Sequence, residues 1–451
     1  MTIEKITDRS ITKINNPDFR KYAQVYIDIE NNFHSQIGSF GLPFATEEKP
    51  TQNNERTYYQ NKLSGFADTE LAIGNDFKSF SLNWISPACL TCRRGVATET
   101  FFISTQCPRN CFFCFNPNQE DYEYYLDHTK NAAAELRSRH REGVHYVDLA
   151  LTGGEPLMHK KETLAFFASA QELYPLAYTR LYTSGAFLDE EYLYKLHDAG
   201  LDEIRFSIKT DDPAELLEDT LRKIELSKQF IGAVMVEMPV MPDEIDKMKR
   251  LLVSLDQIGI SGINLLELCF PLENAEEFAR RGYEIKQTPY RILYDYTYAG
   301  SLPIAGSEDV CLELLKYAAQ SSLTIGIHYC SLENKFTGQV YQQNKGYAKQ
   351  YPLCSLSEKD HFLKSAKAFG ADAKSIRTFF DKKGIRDYRI DEHNNLIEFS
   401  LEHVEILAQT YSDIPLGVSY CIVEIRNNEP VLREVRIDLT TPSSLDIQND
   451  V

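Results

Sequence analysis

Cys107, Cys111 and Cys114 stand close together in the run Cys-Pro-Arg-Asn-Cys-Phe-Phe-Cys. A short loop with this spacing can bind three irons of a [4Fe–4S] cluster through thiolates and leave one iron without a protein ligand. Such an iron can bind a small molecule and transfer an electron to it. A zinc site fits this spacing poorly, because structural zinc usually has four protein ligands arranged as two pairs. A chance grouping of cysteines is the remaining alternative.

A second motif, Leu-Thr-Gly-Gly-Glu-Pro at residues 151–156, ends the apolar run 146–151. It contains Gly153, Gly154, Glu155 and Pro156. Glycines let the backbone approach a ligand closely. Alone, the segment is also typical of an ordinary turn at the end of a strand. It follows the cysteine loop by one predicted helix and one predicted strand, and this position makes the two motifs informative together.

With these motifs and with the aromatic Phe113 before the third cysteine, residues 95–270 resemble the radical S-adenosylmethionine (SAM) superfamily. The resemblance implies that the three cysteines hold a [4Fe–4S] cluster and that SAM chelates its free iron. It also implies that the segment 153–156 receives the amino group of SAM. An electron from the cluster would then cleave SAM into methionine and a 5′-deoxyadenosyl radical, with flavodoxin or ferredoxin as an external electron donor.

Two further segments narrow the resemblance. Cys89-Leu-Thr-Cys92-Arg-Arg-Gly precedes the first predicted strand of the motif region, and His328-Tyr-Cys-Ser, followed by Lys335, comes near its end. From about residue 85 to the C-terminus the chain is therefore similar to the radical SAM proteins described as pyruvate formate-lyase activating enzyme-like. That description says little about the substrate.

The composition of the 451 residues limits the class of protein and its partners. Hydrophobic residues make up 43% and charged residues 25%, which is ordinary for a globular chain. No apolar run reaches the length of a membrane-spanning helix, and the N-terminus lacks a signal-peptide pattern, so a cytoplasmic protein without membrane contact is predicted. The net charge of −18 argues against a nucleic-acid partner, which needs basic side chains. A cationic or neutral peptide, or a small molecule, suits this charge better.

The motifs need elements to position them, and the pattern of the chain predicts six βα units. The predicted strands are 98–103, 146–151, a strand beginning at 180–182, 203–208, 233–240 and 263–270. The predicted helices are 127–140, 163–173, 189–200, 213–229 and 244–258. Alternating strands and helices indicate an α/β fold with a parallel sheet, and six units match the partial (β/α)6 TIM-type barrel of the superfamily. Both motifs follow strand ends, where βα barrels carry their chemistry.

Three domains are predicted, and the barrel lies in the second of them. Residues 1–88 are polar, include the stretch 47–54 rich in Glu, Gln and Asn, and are interpreted as an irregular N-terminal extension or a substrate-contacting segment. Residues 89–335 form the radical SAM core, with helical material and one more strand at 324–329. Residues 336–451 form a small C-terminal domain, with a helix at 366–384 and β-strands from about residue 386.

Four polar residues at or within the predicted strands are further candidates for contacts to SAM, by analogy with the superfamily: Ser184, Ser207, Lys209 and Glu237. A barrel opening that binds a zwitterion needs some such side chains. Each could equally be a structural or solvated residue at the end of a strand.

Cys89 and Cys92 form a second pair that cannot complete a cluster alone, and Cys330 and Cys354 are candidate partners. An auxiliary iron–sulfur cluster, a zinc site and an unmetallated structural pair all remain open. Cys330 has a competing role, because a thiol across the substrate from the SAM radical can donate a hydrogen atom, as in peptide epimerases of the superfamily. Its neighbours His328, Tyr329 and Lys335 would then surround the substrate. The scattered Cys269, Cys311 and Cys421 are predicted to be buried core thiols.

Three functions follow from these interpretations. The first is a radical SAM enzyme that abstracts hydrogen from a peptide or protein, with epimerisation through Cys330 as one version. The second is a radical SAM enzyme that acts on a small metabolite. The third is an iron–sulfur scaffold or redox sensor that does not turn SAM over, against which the segment 153–156 argues, since a scaffold needs no site for the amino group of SAM.

Overall fold

The computed structural model describes residues 3–46, 58–59, 61–64, 66, 71–92, 95–286, 296–427 and 429–447. Part of the predicted N-terminal extension, including 47–54, therefore lies outside the described residues. The chain divides into two compact units. The barrel unit comprises Gly41–Pro289 and Tyr298–Lys335, and the second unit comprises Met1–Phe40, Tyr290–Thr297 and Phe336–Val451. The predicted extension 1–88 is thus shared between the two units.

The described α-helices are α1 Pro17–Gly38, α2 Pro87–Cys92, α3 Tyr122–Asp127, α4 Ala132–Arg141, α5 Lys160–Leu173, α6 Glu190–Asp198, α7 Ala214–Ser227, α8 Ile245–Ile258, α9 Ala275–Arg280, α10 Ser307–Gln320, α11 Leu332–Asn344, α12 Gly370–Lys383 and α13 Val404–Ala408. Short 3-10 helices occupy Ser10–Lys13, Asn116–Asn118, Pro156–His159, Tyr298–Gly300, Ala348–Gln350 and Leu401–His403. Within the described residues, no helix is long and apolar enough to cross a membrane.

The strands of the barrel unit are β1 Leu71–Gly74, β2 Ser79–Leu82, β3 Thr98–Phe102, β4 Asp148–Thr152, β5 Tyr178–Thr183, β6 Glu203–Phe206, β7 Ala233–Val240, β8 Gly262–Glu267, β9 Cys269–Phe270, β10 Leu302–Pro303 and β11 Gly326–Cys330. The main sheet has the order β1-β2-β11-β8-β7-β6-β5-β4-β3. Neighbouring strands from β3 to β8 are parallel, and β11 is parallel to β8. This α/β unit with a mostly parallel sheet fits a partial TIM-type fold.

Two features distinguish this sheet from six plain βα units. β11 covers the additional strand predicted at 324–329 and gives a seventh parallel strand. β1 and β2 form an antiparallel hairpin that adds to β11. The hairpin lies in the segment that was predicted to be irregular, because both of its strands are only four residues long and carry a weak apolar pattern.

Side chains alternate along the parallel strands, so that one face of the sheet carries apolar residues and the other carries ionisable residues. Leu149, Leu181 and Ile204 are fully buried in the core that includes the helix residues Phe166 and Phe167. Their neighbours in the sequence must point to the other face of the sheet, because side chains alternate along a strand. These neighbours are the ionisable residues Asp148, Arg180, Glu203 and Arg205, all buried. The inner face of the sheet therefore carries charged groups instead of an apolar core.

The second unit contains the antiparallel strands β12 Ser355–Leu356, β13 Leu363–Phe369, β14 Tyr388–Asp391, β15 Leu396–Phe399, β16 Leu416–Arg426 and β17 Glu429–Thr440. The sheet order is β14-β15-β13-β16-β17, with β12 also paired to β13. Phe19 of α1 stacks on Phe369 in its core.

The helix predicted at 366–384 starts only at Gly370, because residues 366–369 belong to β13. The strand is hard to recognise in the sequence because it contains two lysines. Lys364 is buried with Asp360 at 2.8 Å, and Lys367 is buried against Glu434. Buried charges are tolerated when they are paired, so the lysines do not exclude a central strand.

Candidate active site at the carboxyl ends of the strands

The cysteine loop follows the carboxyl end of β3. Between the strand and Cys107 the chain passes through Ser104 and Thr105, which are buried. The amide of Cys114 donates to the carbonyl of Cys111 at 3.0 Å, which closes the second part of the loop into a turn. Cys107 is exposed, whereas Cys111 and Cys114 are half-buried. All three thiols thus lie on one loop at the edge of the sheet where the chemistry of βα barrels is found.

The glycine motif packs directly against this loop. The amide of Gly154 donates to the carbonyl of Ser104 at 2.9 Å, and the amide of Glu155 donates to the carbonyl of Gln106 at 2.7 Å. A Cβ atom on Gly154 would lie 1.8 Å from the carbonyl oxygen of Gln106. Gly153 has φ of +109°, which side chains rarely allow. Both glycines are therefore required for the contact between the two motifs.

The carboxylate of Glu155 is fully engaged by protein donors. It accepts from the hydroxyl of Thr183 at 2.7 Å, from the amide of Ser184 at 2.7 Å and from the hydroxyl of Ser184 at 2.5 Å. It also accepts from the amide of Leu157 at 3.1 Å. Glu155 is 2% exposed. Its side chain joins the ends of β4 and β5, which fixes the backbone of the glycine motif.

The electrostatics of the loop keep the thiols protonated when no metal is bound. Burial raises the pKa of Cys107 and Cys114, and the backbone amides of Arg109 and Asn116 partly oppose it. Burial raises the pKa of Cys111 to about 11, although the ammonium of Lys209 lowers it. The charge of Cys114 raises the pKa of both Cys107 and Cys111, and the charge of Cys107 also raises the pKa of Cys111. The three thiols are therefore close enough for the charge of one to affect the pKa of another, and each must lose its proton to bind iron.

The loop is anchored to its surroundings by a charged and an aromatic contact. The guanidinium of Arg109, between the first two cysteines, pairs with Asp212 at 2.6 Å. Phe112 packs edge-on against Phe113 and Phe278, and Asn274 donates to its carbonyl at 3.1 Å. Phe113 is half-buried in this contact. These contacts orient the loop in the absence of any bound group.

The other predicted contacts to SAM fall in two places. Ser184 is buried beside Glu155, Ser207 is exposed just beyond β6, and Lys209 is half-buried with an influence on Cys111. These three lie at the carboxyl ends of β5 and β6. Glu237 lies deeper, inside β7, where it accepts from Arg205 at 2.5 Å and from Asn264 at 2.7 Å.

Arg205 is the centre of a buried network on the inner face of the sheet. Its guanidinium donates to Glu203 at 2.5 Å, to Glu237 at 2.5 Å, to the hydroxyl of Ser86 at 3.1 Å and to the sulfur of Cys89 at 3.4 Å. Burial disfavours the charge of Glu237, but Arg205, Lys335 and the hydrogen bond from Asn264 outweigh it and lower its pKa to about 2. Sequence reasoning missed Arg205, although charged residues at alternate positions of buried strands were a visible signal.

Cys330 ends β11 and is buried. Burial raises its pKa to about 12, while Lys335 and a hydrogen bond from Asn334 at 3.3 Å oppose the shift. Its pKa also responds to the charges of Cys92 and Cys89, so the three predicted thiols share one part of the barrel unit. Cys354, the fourth predicted partner, belongs to the second unit.

Two residues differ from their predicted surroundings. Tyr329 was predicted to surround the substrate, but it is fully buried and stacks on Phe80 in the apolar core, because it points to the opposite face from Cys330. Cys269 was predicted to be a core thiol, but it is half-buried, and its pKa responds to Lys335 and Cys114. The apolar sequence around Cys269 gave no signal that β8 ends at Glu267 and that Cys269 begins the separate short strand β9.

The donor set of the cysteine loop fits a [4Fe–4S] cluster better than a single ion. Among the described residues, no three His, Cys, Asp or Glu side chains converge on one metal-ion position. A cubane binds each thiolate to a different iron, so its ligands stand farther apart than those of one ion. Three thiols on one loop, with a glycine backbone packed beside them, offer one thiolate to each of three irons.

Comparison with known proteins agrees with this chemistry. The sequence model of the Radical SAM superfamily matches residues 101–255. A protein of Methanocaldococcus jannaschii, provisionally named a glycyl-radical enzyme activating enzyme, is 26% identical over 374 residues, which cover 78% of this chain and 92% of that protein.

Similar solved structures are more distant. Streptococcus suis SuiB bound to S-adenosylmethionine is 13% identical, with a TM-score of 0.38 over 52% of this chain and 50% of that chain. The radical SAM methyltransferase TsrM of Kitasatospora setae, with tryptophan and a SAM analogue, is 19% identical, with a TM-score of 0.32 over 43% and 40%. The chain spans half or less of the length of these two proteins.

Residues 101–255 thus match the Radical SAM superfamily, and the predicted resemblance of the chain to activating-enzyme-like radical SAM proteins is confirmed. The match also supports a [4Fe–4S] cluster and SAM as the cofactors.

Proposed function

We propose that this radical SAM protein abstracts a hydrogen atom from a peptide or protein, with a [4Fe–4S] cluster on Cys107, Cys111 and Cys114 and SAM beside it. The observation that carries the proposal is the direct backbone pairing of the glycine motif with the segment that leads into Cys107. A metal site alone needs no such contact, whereas a site for a cluster and its bound SAM needs both motifs in one place.

The residues of the loop have distinct roles in this proposal. When bound, the cluster supplies the electron that cleaves SAM and so generates the radical. The three thiols must lose their protons to bind iron, and Lys209 lowers the cost of that loss at Cys111. Arg109 holds the loop through Asp212. Flavodoxin or ferredoxin is the proposed external electron donor.

The contacts to SAM are proposed for the backbone of the glycine motif and for the adjoining strand ends. Because the carboxylate of Glu155 is occupied by Thr183 and Ser184, we assign the amino group of SAM to backbone atoms of Gly153, Gly154 and Pro156. Further proposed contacts come from Phe113, Ser184, Ser207 and Lys209. Glu237 is proposed to support these contacts indirectly, through its ion pair with Arg205 on the inner face of the sheet.

A polypeptide is the favoured substrate for two reasons. The relative that aligns over 92% of its length is named for the activation of an enzyme, which is itself a protein. The chain carries a net charge of −18, which attracts basic polypeptides and repels nucleic acid. A small metabolite is the second candidate substrate, since the same radical chemistry serves both.

Epimerisation is one version of the polypeptide reaction, with Cys330 as the hydrogen donor. A donor thiol must keep its proton, and the raised pKa of Cys330 satisfies that condition. The thiol of Cys330 also lies 3.8 Å from the carbonyl of Ser331, an acceptor that favours the protonated form. In the activating-enzyme version, hydrogen is removed from the polypeptide and is not returned, so Cys330 has no donor role.

Deuterium transfer tests the substrate class. Cells grown in D2O supply a deuterated extract, which is separated by size and added to the reconstituted enzyme with SAM and a reductant. We expect deuterium in 5′-deoxyadenosine from the high-mass fraction and its loss after protease treatment. Deuterium from the low-mass fraction alone would contradict the proposal and indicate a metabolite.

Three variants complete this experiment. Cys111→Ala should abolish formation of 5′-deoxyadenosine, whereas Cys421→Ala, which removes a core thiol of the second unit, should leave it unchanged. Cys330→Ala separates the two polypeptide versions: with a responsive peptide in D2O, epimerisation requires one solvent deuterium in the product and loses it in this variant. A variant that still forms the deuterated product would remove Cys330 from the mechanism.

A further inference from the structure

The proposed function leaves the pair Cys89 and Cys92 unused. Both lie on α2, three residues apart, so their side chains share one face of the helix. Both are free thiols; Cys89 is half-buried and Cys92 is exposed. Burial is nevertheless the largest cause of a raised pKa at Cys92. Cys92 is thus exposed as a residue, while its thiol is still partly desolvated.

The sulfur of Cys89 accepts hydrogen bonds from two strands. Asn264 of β8 donates its amide to the sulfur at 3.2 Å, and Arg205 of β6 donates its guanidinium at 3.4 Å. His328 of β11 also lowers the pKa of this thiol. The Nδ1 atom of His328 lies 3.0 Å from the side-chain oxygen of Asn264, which orients the ring. Donors at this distance stabilise a thiolate more than a thiol.

The positive charge beside Cys89 is held in place by its own partners. Arg205 is 2% exposed and bound between Glu203 and Glu237, so its guanidinium cannot turn away from the sulfur. Burial opposes ionisation of Cys89, but the effects of Arg205 and His328 outweigh it and lower its pKa to about 7.

Cys92 is associated with a second arginine. Arg180 is 5% exposed and pairs with Asp148 at 2.8 Å, while its Nε makes no hydrogen bond within the described residues. Its charge opposes the effect of burial on the thiol of Cys92. Two buried arginines on neighbouring strands thus act to lower the pKa values of the two cysteines of one short helix. This arrangement favours negatively charged sulfur atoms during thiol–disulfide exchange.

We propose that Cys89 and Cys92 form a redox-active dithiol on the inner face of the barrel unit, which exchanges with an external disulfide. Cys92, the exposed residue of the pair, reacts first, as the thiolate formed when its proton passes to water. Its sulfur bonds to one sulfur of the partner disulfide, and the other partner sulfur leaves as a thiolate that takes up a proton from water. The thiolate of Cys89 then attacks the sulfur of Cys92 and displaces the second partner thiolate. The two cysteines lose two electrons in total, and one disulfide is reduced to two thiols.

This role differs from that of a metal ligand. The sulfur of Cys89 already accepts hydrogen bonds from Asn264 and Arg205, which stabilise a thiolate without a metal. The proposal is independent of SAM cleavage, since it concerns only thiols and an external disulfide.

Tryptic digestion gives a direct measurement, because cleavage after Lys78 and Arg93 places Cys89 and Cys92 alone on the peptide 79–93. The reconstituted full chain is equilibrated without oxygen in glutathione buffers of increasing oxidised fraction, alkylated and digested. We expect the peptide 79–93 to lose two hydrogens and its alkylation sites together, at one midpoint. Cys330, on the peptide 317–335, should remain alkylated.

A change in the midpoint separates this role from a structural one. Asn264→Ala removes a donor to the Cys89 thiolate and should shift the equilibrium about tenfold toward the disulfide, which corresponds to about 30 mV for two electrons. Asn334→Ala is the matched control, because it removes the same kind of donor from Cys330. That control should leave the midpoint of the peptide 79–93 unchanged.

Three results would overturn the proposal. The first is a peptide 79–93 that stays doubly alkylated at every buffer ratio. The second is a disulfide that joins this peptide to Cys330 instead of forming within it. The third is metal that remains in a variant lacking Cys107, Cys111 and Cys114 and depends on Cys89 and Cys92. A chain that never cleaved SAM would leave the expected thiol result intact, so the two proposals fail separately.

Discussion

At the scale of single residues, the contact between the two motifs depends on the missing side chain of Gly154. We predict that Gly154→Ala lowers iron content and SAM binding, because the added Cβ would lie 1.8 Å from the carbonyl oxygen of Gln106. The loop that carries Cys107 must then move. Iron per chain after reconstitution and SAM affinity by calorimetry measure the effect.

Gly346→Ala is the control for this prediction, since a Cβ there meets no atom within 4 Å. It should keep the iron content and the SAM affinity of the unchanged chain. Equal occupancy in the two variants would show that the spacing of the motifs is not set by Gly154.

Residue types and spacing predict this site only in part. The cysteine spacing and the glycine motif are local in sequence, so both could be recognised without coordinates. The role of Glu155 could not, because its donors Thr183 and Ser184 come from another strand. Glu237 was predicted to contact SAM, but the arginine that binds it is 32 residues away in sequence, a pairing that depends on strand register.

At the scale of elements, the ion pair of Arg109 and Asp212 ties the cysteine loop to the connection between β6 and α7. Both side chains are mostly buried, at 13% and 9% exposure. We predict that Arg109→Ala speeds iron loss to a chelator about 5- to 30-fold, since one to two kcal/mol of support for the loop is removed. Stopped-flow loss of the cluster absorbance measures this rate.

The control is Arg222→Ala, whose pair with Asp219 lies on the exposed surface of α7. Exposed pairs contribute little, so its rate of iron loss should equal that of the unchanged chain. A similar rate in the Arg109→Ala variant would mean that the loop is held by the cluster alone.

The buried network that joins β6, β7 and β8 should be visible in acid. The pKa of Glu237 is lowered from 4.5 to about 2 in the folded chain, so its ionised form stabilises the fold above pH 4.5, and this contribution is lost as the pH falls towards 2. We predict that the stability advantage over Glu237→Gln shrinks by about 3 kcal/mol across this range. Urea unfolding at successive pH values measures it.

Glu172→Gln, at an exposed position of α5, should differ from the unchanged chain by a constant amount at all these pH values. A constant difference for Glu237→Gln as well would contradict the assigned ion pair with Arg205.

Element by element, the parallel strands were predictable because long apolar runs alternate with amphipathic helices. β7 was predicted at 233–240, as observed. The hairpin of β1 and β2 was missed because four-residue strands carry too little pattern. Residues 366–369 of β13 were taken for the start of the helix predicted at 366–384, because the lysines of the strand find acidic partners only in the folded sheet.

At the scale of the whole molecule, the chain combines a segment that matches the Radical SAM superfamily with a strongly acidic composition. A negative net charge disfavours binding of nucleic acid and favours binding of basic polypeptides. It does not determine which bond of the substrate reacts. That choice depends on which side chains of the barrel unit face the substrate. The inner face, with Arg205, Glu237 and Cys330, is therefore the part of the molecule where substrate chemistry should be sought.

The most direct test of the central claim is iron analysis with EPR spectroscopy on the anaerobically reconstituted and reduced chain, with and without SAM. A variant with Cys107, Cys111 and Cys114 all changed to Ala serves as the comparison. We predict about four irons per chain, as for one cubane, a cluster signal that shifts when SAM binds, and an iron-free variant. If the unchanged chain holds no iron, or if its cluster signal is the same with and without SAM, the proposal of a SAM-binding cluster on these cysteines is wrong.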